Sequence, residues 1–270
     1  MNTGNPLEYL RTLGEAGDGP HDIARAALML GILDHTQASL DPYLAHLASI
    51  ENDMRREAPM IVRVNDGARA LAALMHDRLG YEGERGPAYN EPRNANLVNV
   101  IDRRRGLPVA LGILYLHAAR SAGMKAEGLN TDGHFVIRIA HRHDDLTIDP
   151  FNSGMVVDRE HMPAELRGVD TGLAQPVSDT DVLLRLENNL KLRALENGKP
   201  GRALEVTNRM ILIAPRRPDL WFDSARINEA LGVLGAARKS YERCLEITRP
   251  GEPLHNGAAL SLANIKRRLN

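Results

Sequence analysis

The spacing of apolar residues changes twice along this 270-residue chain, and that change limits the folds it can adopt. Apolar residues recur every three or four positions between residues 21 and 81, alternate between residues 134 and 158, and return to helical spacing after residue 178. A spacing near 3.6 predicts amphipathic helices, and a spacing of two predicts strands. We therefore expect an α+β fold with a helical N-terminal part, a small antiparallel sheet and a final all-α region.

A central helix is predicted from Pro108 to about Ala122, in LPVALGILYLHAARSAG. Proline suits the first position of a helix because its missing N–H needs no partner there, and Gly123 is a suitable C-terminal stop. Apolar residues cover most faces of this segment, so we expect a buried helix with the strands laid against it. The strands are HFVIRI (134–139), DLTID (145–149) and GMVVD (154–158).

Three other segments are harder to assign. MIVRV (60–64) fits a short strand, and equally a loop or the start of a helix. GYEGERGPAYNEPRN (80–94) is rich in glycine and proline and favours a structured surface loop. GVDTGLAQPVSDTD (168–181) has the small and polar composition of a linker. The predicted domains are accordingly residues 1–175 and residues 176–270.

The C-terminal region contains an internal repeat. Gly198, Gly201 and Ala203 recur 34 residues later as glycine, glycine and alanine, and prolines close the two copies. A period of 34 with a small residue in the second helix resembles a pair of tetratricopeptide repeats. Because about three such units are needed for a stable stack, we expect residues 254–270 to form a capping helix.

The overall charge excludes some partners. The chain has 34 Lys and Arg against 35 Asp and Glu, so no net charge draws it to nucleic acid or to an anionic membrane. No apolar run is long enough to span a bilayer, and the first residues lack the pattern of a signal peptide. A single cysteine, Cys244, cannot form an internal disulfide, and we expect a cytoplasmic protein.

His134 and Asp149 are the candidates for a catalytic pair. They lie 15 residues apart on successive predicted strands. A papain-type or transglutaminase-type site needs a thiolate at a helix N-terminus, a histidine on a facing strand, and a carboxylate or amide that fixes the imidazole. The two residues suit the last two roles, and the helix that begins near Pro108 is where the thiol belongs.

The segment NLVNVIDRRRGLPVALGILYLHAARSAGMKAEGLNTDGHFVIRI, followed by IDPFNSG, resembles the bacterial SirB family. The resemblance extends from about residue 20 to the end, and three short motifs carry it: Arg104, Gly106 and Pro108; Gly133, His134 and Phe135; and Asp149, Pro150 and Phe151. It implies a transglutaminase-like core followed by tetratricopeptide repeats. In active enzymes of this kind, Gly-x-Cys precedes by about a dozen residues an arginine that matches Arg120. The matching tripeptide here is GLP, so Pro108 stands where the thiol would be.

Proline has no nucleophilic atom, and the chain offers no obvious replacement. Cys244 lies in the repeat region at the position of Met210 in the preceding copy, which is typical of a small buried hydrophobic residue. Ser121 is at the far end of the central helix, and Ser153 follows Asp149 in a turn. We interpret the thiol site as absent, and His134 with Asp149 either as a remnant pair in a binding pocket or as a buried hydrogen bond that joins two strands.

Several polar residues are candidates for binding. Asn130 and Asp132 precede the histidine and could line a pocket, although both also suit a turn. We group them with Phe151 and with Arg104, which could hold an anion or lie buried against a carboxylate. The run from His141 to Asp145 contains metal-ligating residue types, yet a solvated turn is the better interpretation, and we expect no metal and no cofactor.

Two function classes follow. The first is a non-catalytic adaptor or regulatory protein, a pseudoenzyme, whose helical repeats bind a protein or peptide partner. The second is a hydrolase or acyl transferase that uses His134 and Asp149 with an unidentified nucleophile. Loss of the thiol removes the covalent intermediate of a papain-type mechanism, which favours the first class.

Overall fold

The computed structural model describes residues 5–131, 134–157 and 175–269, with the side chains of residues 130 and 131 left aside. The helices of this part of the chain are α1 (Pro6–Ala16), α2 (Ile23–Ile32), α3 (Asp41–Glu57), α4 (Val64–Ala72), α5 (Leu97–Arg103), α6 (Pro108–Ser121), α7 (Asp179–Glu196), α8 (Pro200–Ile213), α9 (Pro218–Ala230), α10 (Leu234–Ile247) and α11 (Pro253–Leu269). The strands are β1 (Glu82–Gly83), β2 (Arg105–Gly106), β3 (Lys125–Thr131), β4 (His134–His141), β5 (Asp144–Asp149), β6 (Met155–Val156) and β7 (Pro176–Val177). The predicted α+β class is confirmed.

By their contacts, the residues form two compact units. One contains Asp18–Leu186, and the other contains the described residues up to Gly17 together with those from Glu187 onward. The predicted boundary between residues 175 and 176 stays a prediction.

A five-stranded sheet in the order β6-β5-β4-β3-β7, antiparallel throughout, forms one side of the core of the first unit. Five of the eight residues of the central strand β4 are buried. The helix α6 lies against it, and Phe135 fills the space between them. A Cβ atom on Gly112 of α6 would lie 2.4 Å from the Phe135 ring, and one on Gly128 of β3 would lie 2.7 Å from it. Both glycines are therefore required by the close approach of the ring.

Local capping explains where several helices begin. Asp22 caps α2 by accepting a hydrogen bond from the N–H of Arg25, and Asn96 caps α5 by accepting one from the N–H of Val98. The amide of Asn96 also donates to the carbonyl of Gly31, across 3.0 Å, and so joins α2 to α5. Pro108 occupies the first turn of α6, as the sequence predicted.

MIVRV resolves as the end of a 3-10 turn (Ala58–Met60), an extended link and the first residue of α4, so of the alternatives left open by the sequence the loop and helix start are observed and the strand is not. The structure differs from the sequence prediction at two other places. The loop at 80–94 contains two 3-10 turns and the strand β1, which pairs in parallel with β2. Part of the predicted linker is structured, because β7 adds an edge strand to the sheet and Asp179 starts α7. Residues 158–174 lie outside the described chain.

The second unit has the helix pairs that the repeat predicts. The part of α7 from Glu187 onward forms a helical hairpin with α8, α9 forms one with α10, and α11 follows as the capping helix. Gly198 and Gly232 end the first helix of each hairpin with positive φ, and Ala203 and Ala237 are fully buried in the second. The N-terminal helix α1 packs on α8, where a Cβ atom on Gly14 would lie 2.0 Å from the carbonyl oxygen of Leu212.

Candidate functional site

Pro108 opens the buried helix α6 and is itself buried. It lies one turn before Gly112, on the face of α6 that meets Phe135 and β4. The residue that the family resemblance aligns with the thiol thus begins the helix that packs on β4, the strand that carries His134. At this position the chain supplies a pyrrolidine ring, which has neither a nucleophilic atom nor an N–H to donate.

His134 and Asp149 form the hydrogen-bonded pair that their spacing suggested. His134 begins β4 and Asp149 ends the neighbouring strand β5, and Nε2 of the imidazole lies 2.9 Å from Oδ2 of the carboxylate. Both side chains are buried, with 4% and 0% of their surface exposed. A carboxylate accepts only, so the histidine donates from Nε2 and its Nδ1 edge is the one directed elsewhere.

Asp149 is held by more than the histidine. Its Oδ1 accepts hydrogen bonds from the backbone N–H groups of Phe151 (2.9 Å) and Asn152 (3.3 Å), and its Oδ2 also accepts one from Nδ2 of Asn152 (2.6 Å). Four donors therefore hold one buried carboxylate in a single orientation. The arrangement fixes the plane of the imidazole, which is the task of the third group in a catalytic triad.

Phe151 packs directly on the pair. Its ring meets that of His134 edge to face at 5.8 Å and that of Tyr89 at 6.2 Å. The guanidinium of Arg85 lies 4.9 Å from the centre of the Phe151 ring and donates to Oδ1 of Asn152. Asn152 thereby connects the exposed Arg85 to the buried carboxylate, and the predicted binding residue Phe151 serves as a wall beside the imidazole.

Tyr115 lies on α6 two turns after Pro108 and is fully buried. A Cβ atom on Gly154 would lie 3.2 Å from its hydroxyl oxygen, which places the phenol beside the turn that follows Asp149. The hydroxyl has no hydrogen-bond partner among the described residues. Burial, and secondarily the negative charges of Asp149 and Asp77, raise the pKa of this tyrosine.

Arg104 has different partners from those expected. It caps α5 in the left-handed region, at φ 59°, and its Nη1 donates to the hydroxyl of Tyr81 and to Nε2 of His46, the latter across 2.9 Å. Its guanidinium also lies 4.8 Å from the centre of the Tyr81 ring. The expectation that Arg104 is buried against a carboxylate is wrong, because a phenol and a neutral imidazole fill that place. A role in binding stays a prediction.

The remaining predicted site residues are only partly visible. Asn130 belongs to β3, where its backbone pairs with Phe135, and Asp132 lies outside the described residues.

The start of β4 is also held from α7, because Nη2 of Arg185 donates to the carbonyl of His134 across 2.8 Å. Burial lowers the pKa of that arginine.

The alternative nucleophiles occupy structural positions. Cys244 is fully buried in a cluster of the second unit with Ala225, Tyr241 and Leu262, and burial raises the pKa of its thiol. Ser121 donates its hydroxyl to the carbonyl of His117 across 2.7 Å, as serines often do late in a helix. Ser153 has a φ of 61° in the turn after β5. Core packing thus accounts for the position of Cys244, a bond to the helix backbone for that of Ser121, and a turn for that of Ser153.

Two other features are absent from the residues that the structure describes. In that part of the chain, no group of three or more His, Cys, Asp or Glu side chains is arranged to hold a metal ion, and the residues from His143 to Asp145 are exposed. No helix within the same ranges is long and apolar enough to cross a membrane.

A buried His–Asp pair on adjacent antiparallel strands, beside a buried helix that packs on the same sheet, is the arrangement expected of a transglutaminase-like core, here followed by helical repeats. Comparison with known proteins agrees: residues 41–188 match the transglutaminase-like superfamily, and residues 190–270 match the tetratricopeptide repeat. The chain belongs to the transglutaminase-like superfamily.

Among curated relatives, a UPF0162 protein of Xylella fastidiosa is 29% identical over 251 residues, which cover 89% of each chain. A UPF0162 protein of Vibrio cholerae is 25% identical, over 83% of this chain and 86% of its own. Human F-box only protein 21 is 31% identical over 99 residues, which are 36% of this chain and 16% of that protein. The two bacterial relatives therefore match most of this chain, and the F-box protein matches about a third of it.

Four residues around the pair were missed from the sequence. Asn152 stands in the motif IDPFNSG, and its position three residues after an aspartate is a usable signal for a side-chain cap. Arg85, Tyr89 and Tyr115 gave no signal. The contact between Arg85 and Asn152 joins residues 67 positions apart, which no local pattern encodes.

Proposed function

We propose that this protein is a non-catalytic member of its superfamily, related to the SirB proteins, that acts in the cytoplasm as an adaptor or regulatory protein. Its helical repeats bind a protein or peptide partner, and the transglutaminase-like core supplies a rigid body. The observation that carries the proposal is Pro108 in the first turn of α6, where catalysis would need a thiolate.

The retained His134–Asp149 pair is then a structural element with a neighbouring pocket. Burial of both side chains and the four hydrogen bonds to the carboxylate give it a clear role in joining β4, β5 and the following turn. Arg104, Asn130, Asp132 and Phe151 stay candidates for lining that pocket. Tetratricopeptide units generally present surfaces for protein partners, which supports the interaction role.

One alternative retains support. The imidazole is oriented by a carboxylate in the way that proton transfer requires, so a hydrolase or acyl transferase with another nucleophile, such as water, is the second candidate. The two candidates predict different behaviour of the purified chain.

The test is turnover by the full-length protein. Ester substrates, and a glutamine-containing peptide offered with an amine, should show no release of alcohol or ammonia above the buffer rate. The His134→Ala variant should match the wild type in this assay. Turnover that disappears in His134→Ala, while Ser121→Ala retains it, would establish the enzyme and remove the adaptor proposal.

A further inference from the structure

The small net charge of the whole chain conceals an uneven distribution of charge between its two parts. Residues 190–270 carry 15 Lys and Arg against 8 Asp and Glu, a net charge of +7, whereas residues 1–189 carry 19 against 27, a net charge of −8. The repeat region alone therefore has the electrostatic character of a surface that attracts acidic partners.

A groove in this region lies between α7 and α9 and has a volume of about 310 Å³. Its walls are aliphatic, with Leu192 and Leu195 from α7 and Ile227 from α9. The two leucines expose 47% and 42% of their surface. Two large apolar side chains on one groove form a patch that is suited to receive apolar side chains of a partner.

The charged residues that line the groove differ in whether they have an ion-pair partner. Lys191 and Asp223 form an ion pair across the groove, with Nζ 2.5 Å from Oδ2, and so neutralise each other. Arg226 also lines the groove, is exposed, and makes no ion pair within the described part of the chain. Some other cations of the unit are paired with acidic residues, as Arg243 is with Glu246 and Arg268 is with Glu229. Arg226 thus adds one uncompensated positive charge to an apolar surface.

We propose that this groove binds an acidic, leucine-containing peptide segment of a partner protein. Leucine side chains of the segment contact Leu192 and Leu195, and a neighbouring Asp or Glu pairs with Arg226. The inference rests on the proposed adaptor function, because it assigns a partner chemistry to the repeat surface. Aliphatic walls favour a peptide over single-stranded nucleic acid, which needs exposed aromatic rings for base stacking.

The probe is a short fluorescent peptide in which Leu alternates with Asp and Glu, titrated into the full chain at low salt and followed by fluorescence anisotropy. Two control peptides replace the acidic residues by Lys or the leucines by Ser. Only the acidic leucine peptide should bind, and raising the salt concentration should weaken binding because the contact at Arg226 is exposed.

Charge reversal tests the assigned residue. Arg226→Glu should weaken binding of the acidic leucine peptide about tenfold, because an attractive rim contact becomes repulsive. Lys239→Glu makes the same change of charge at an exposed position of α10, outside the groove, and should change binding less than about twofold. Arg226→Gln provides a milder variant, and circular dichroism confirms that each variant is folded.

A second pair of variants tests the aliphatic contact in the groove. Leu195→Ser should weaken binding about fivefold, whereas Leu260→Ser, at a leucine of α11 that is 66% exposed and outside the groove, should leave it unchanged.

Three results would overturn the inference: equal binding of the Lys peptide, equal loss in the Lys239→Glu and Arg226→Glu variants, or tighter binding of a single-stranded oligonucleotide than of the acidic peptide. These outcomes leave the adaptor role standing. Turnover that depends on His134, by contrast, removes the adaptor role without affecting the peptide result.

Discussion

Asp149 accepts a hydrogen bond from the imidazole of His134 across 2.9 Å, in a place where neither side chain exposes more than 4% of its surface. The carboxylate also holds Phe151 and Asn152, so the start of β4 and the turn after β5 both depend on one residue. A buried group with this many partners is costly to remove, because each donor is left without an acceptor.

We therefore expect Asp149→Ala to lower the free energy of unfolding by about 3 kcal/mol, because the imidazole and two N–H groups lose their acceptor. Urea denaturation measures the change. Asp145→Ala, at an exposed aspartate of the same strand, should stay within about 0.5 kcal/mol of the wild type. Equal stability of the two variants would show that the pair does not hold the sheet together.

Removal of the hydroxyl group from two fully buried tyrosines should change the stability of the protein in different directions. The hydroxyl of Tyr81 bonds Arg104 and His46, so Tyr81→Phe should cost about 1 to 2 kcal/mol. The hydroxyl of Tyr115 has no described partner, so Tyr115→Phe should be neutral or stabilising by up to about 1 kcal/mol. Thermal or urea unfolding of both variants gives the comparison, and marked destabilisation by Tyr115→Phe would contradict it.

Gly112 should be essential to the packing of α6. In Gly112→Ala the new Cβ atom would lie 2.4 Å from the Phe135 ring, which is held on its other side by Gly128, and we expect a loss of about 2 kcal/mol. Gly235→Ala is the control, because its Cβ atom meets open space in the first turn of α10, and it should be neutral or slightly stabilising. If Gly112→Ala is as stable as the control, the ring is not confined as described.

His46 should make the protein sensitive to mild acid. Burial, and secondarily the charge of Arg104, lower its pKa to about 4 from 6.5. Because the unfolded chain binds this proton near pH 6.5 and the folded chain only near pH 4, acidification through that window favours unfolding.

The expected loss is on the order of 1 kcal/mol by pH 4.5, reduced from the full linkage value because the imidazole is only half-buried. The free energy of unfolding, measured from pH 7 to pH 4.5, should fall less steeply in His46→Gln than in the wild type. His143→Gln, at an exposed histidine, should retain the wild-type slope, and identical slopes in all three proteins would refute the assignment.

Much of the architecture was predictable because it is encoded locally. Pro108 marks the start of the buried helix, alternating residues mark β4 and β5, and the 34-residue period marks the helical hairpins. The strand β3 was missed because KAEGLNT contains Gly128 and polar residues where a strand usually presents apolar ones. It is a strand because its whole length pairs with β4, and the Phe135 ring of that neighbouring strand packs against Gly128.

The amino-acid order alone predicted the α+β class, the helical repeats and the pairing of His134 with Asp149, and the family resemblance aligned Pro108 with the position of the thiol. Proline and alternating residues act on their own neighbourhood, so their effect is readable from a few residues. Folding in three dimensions decided the rest: the imidazole partner of Arg104, 58 positions away, the burial of the Tyr115 hydroxyl without a partner among the described residues, and the packing of α1 on α8. Such contacts join distant segments, and only the way the core closes determines which side chains meet there.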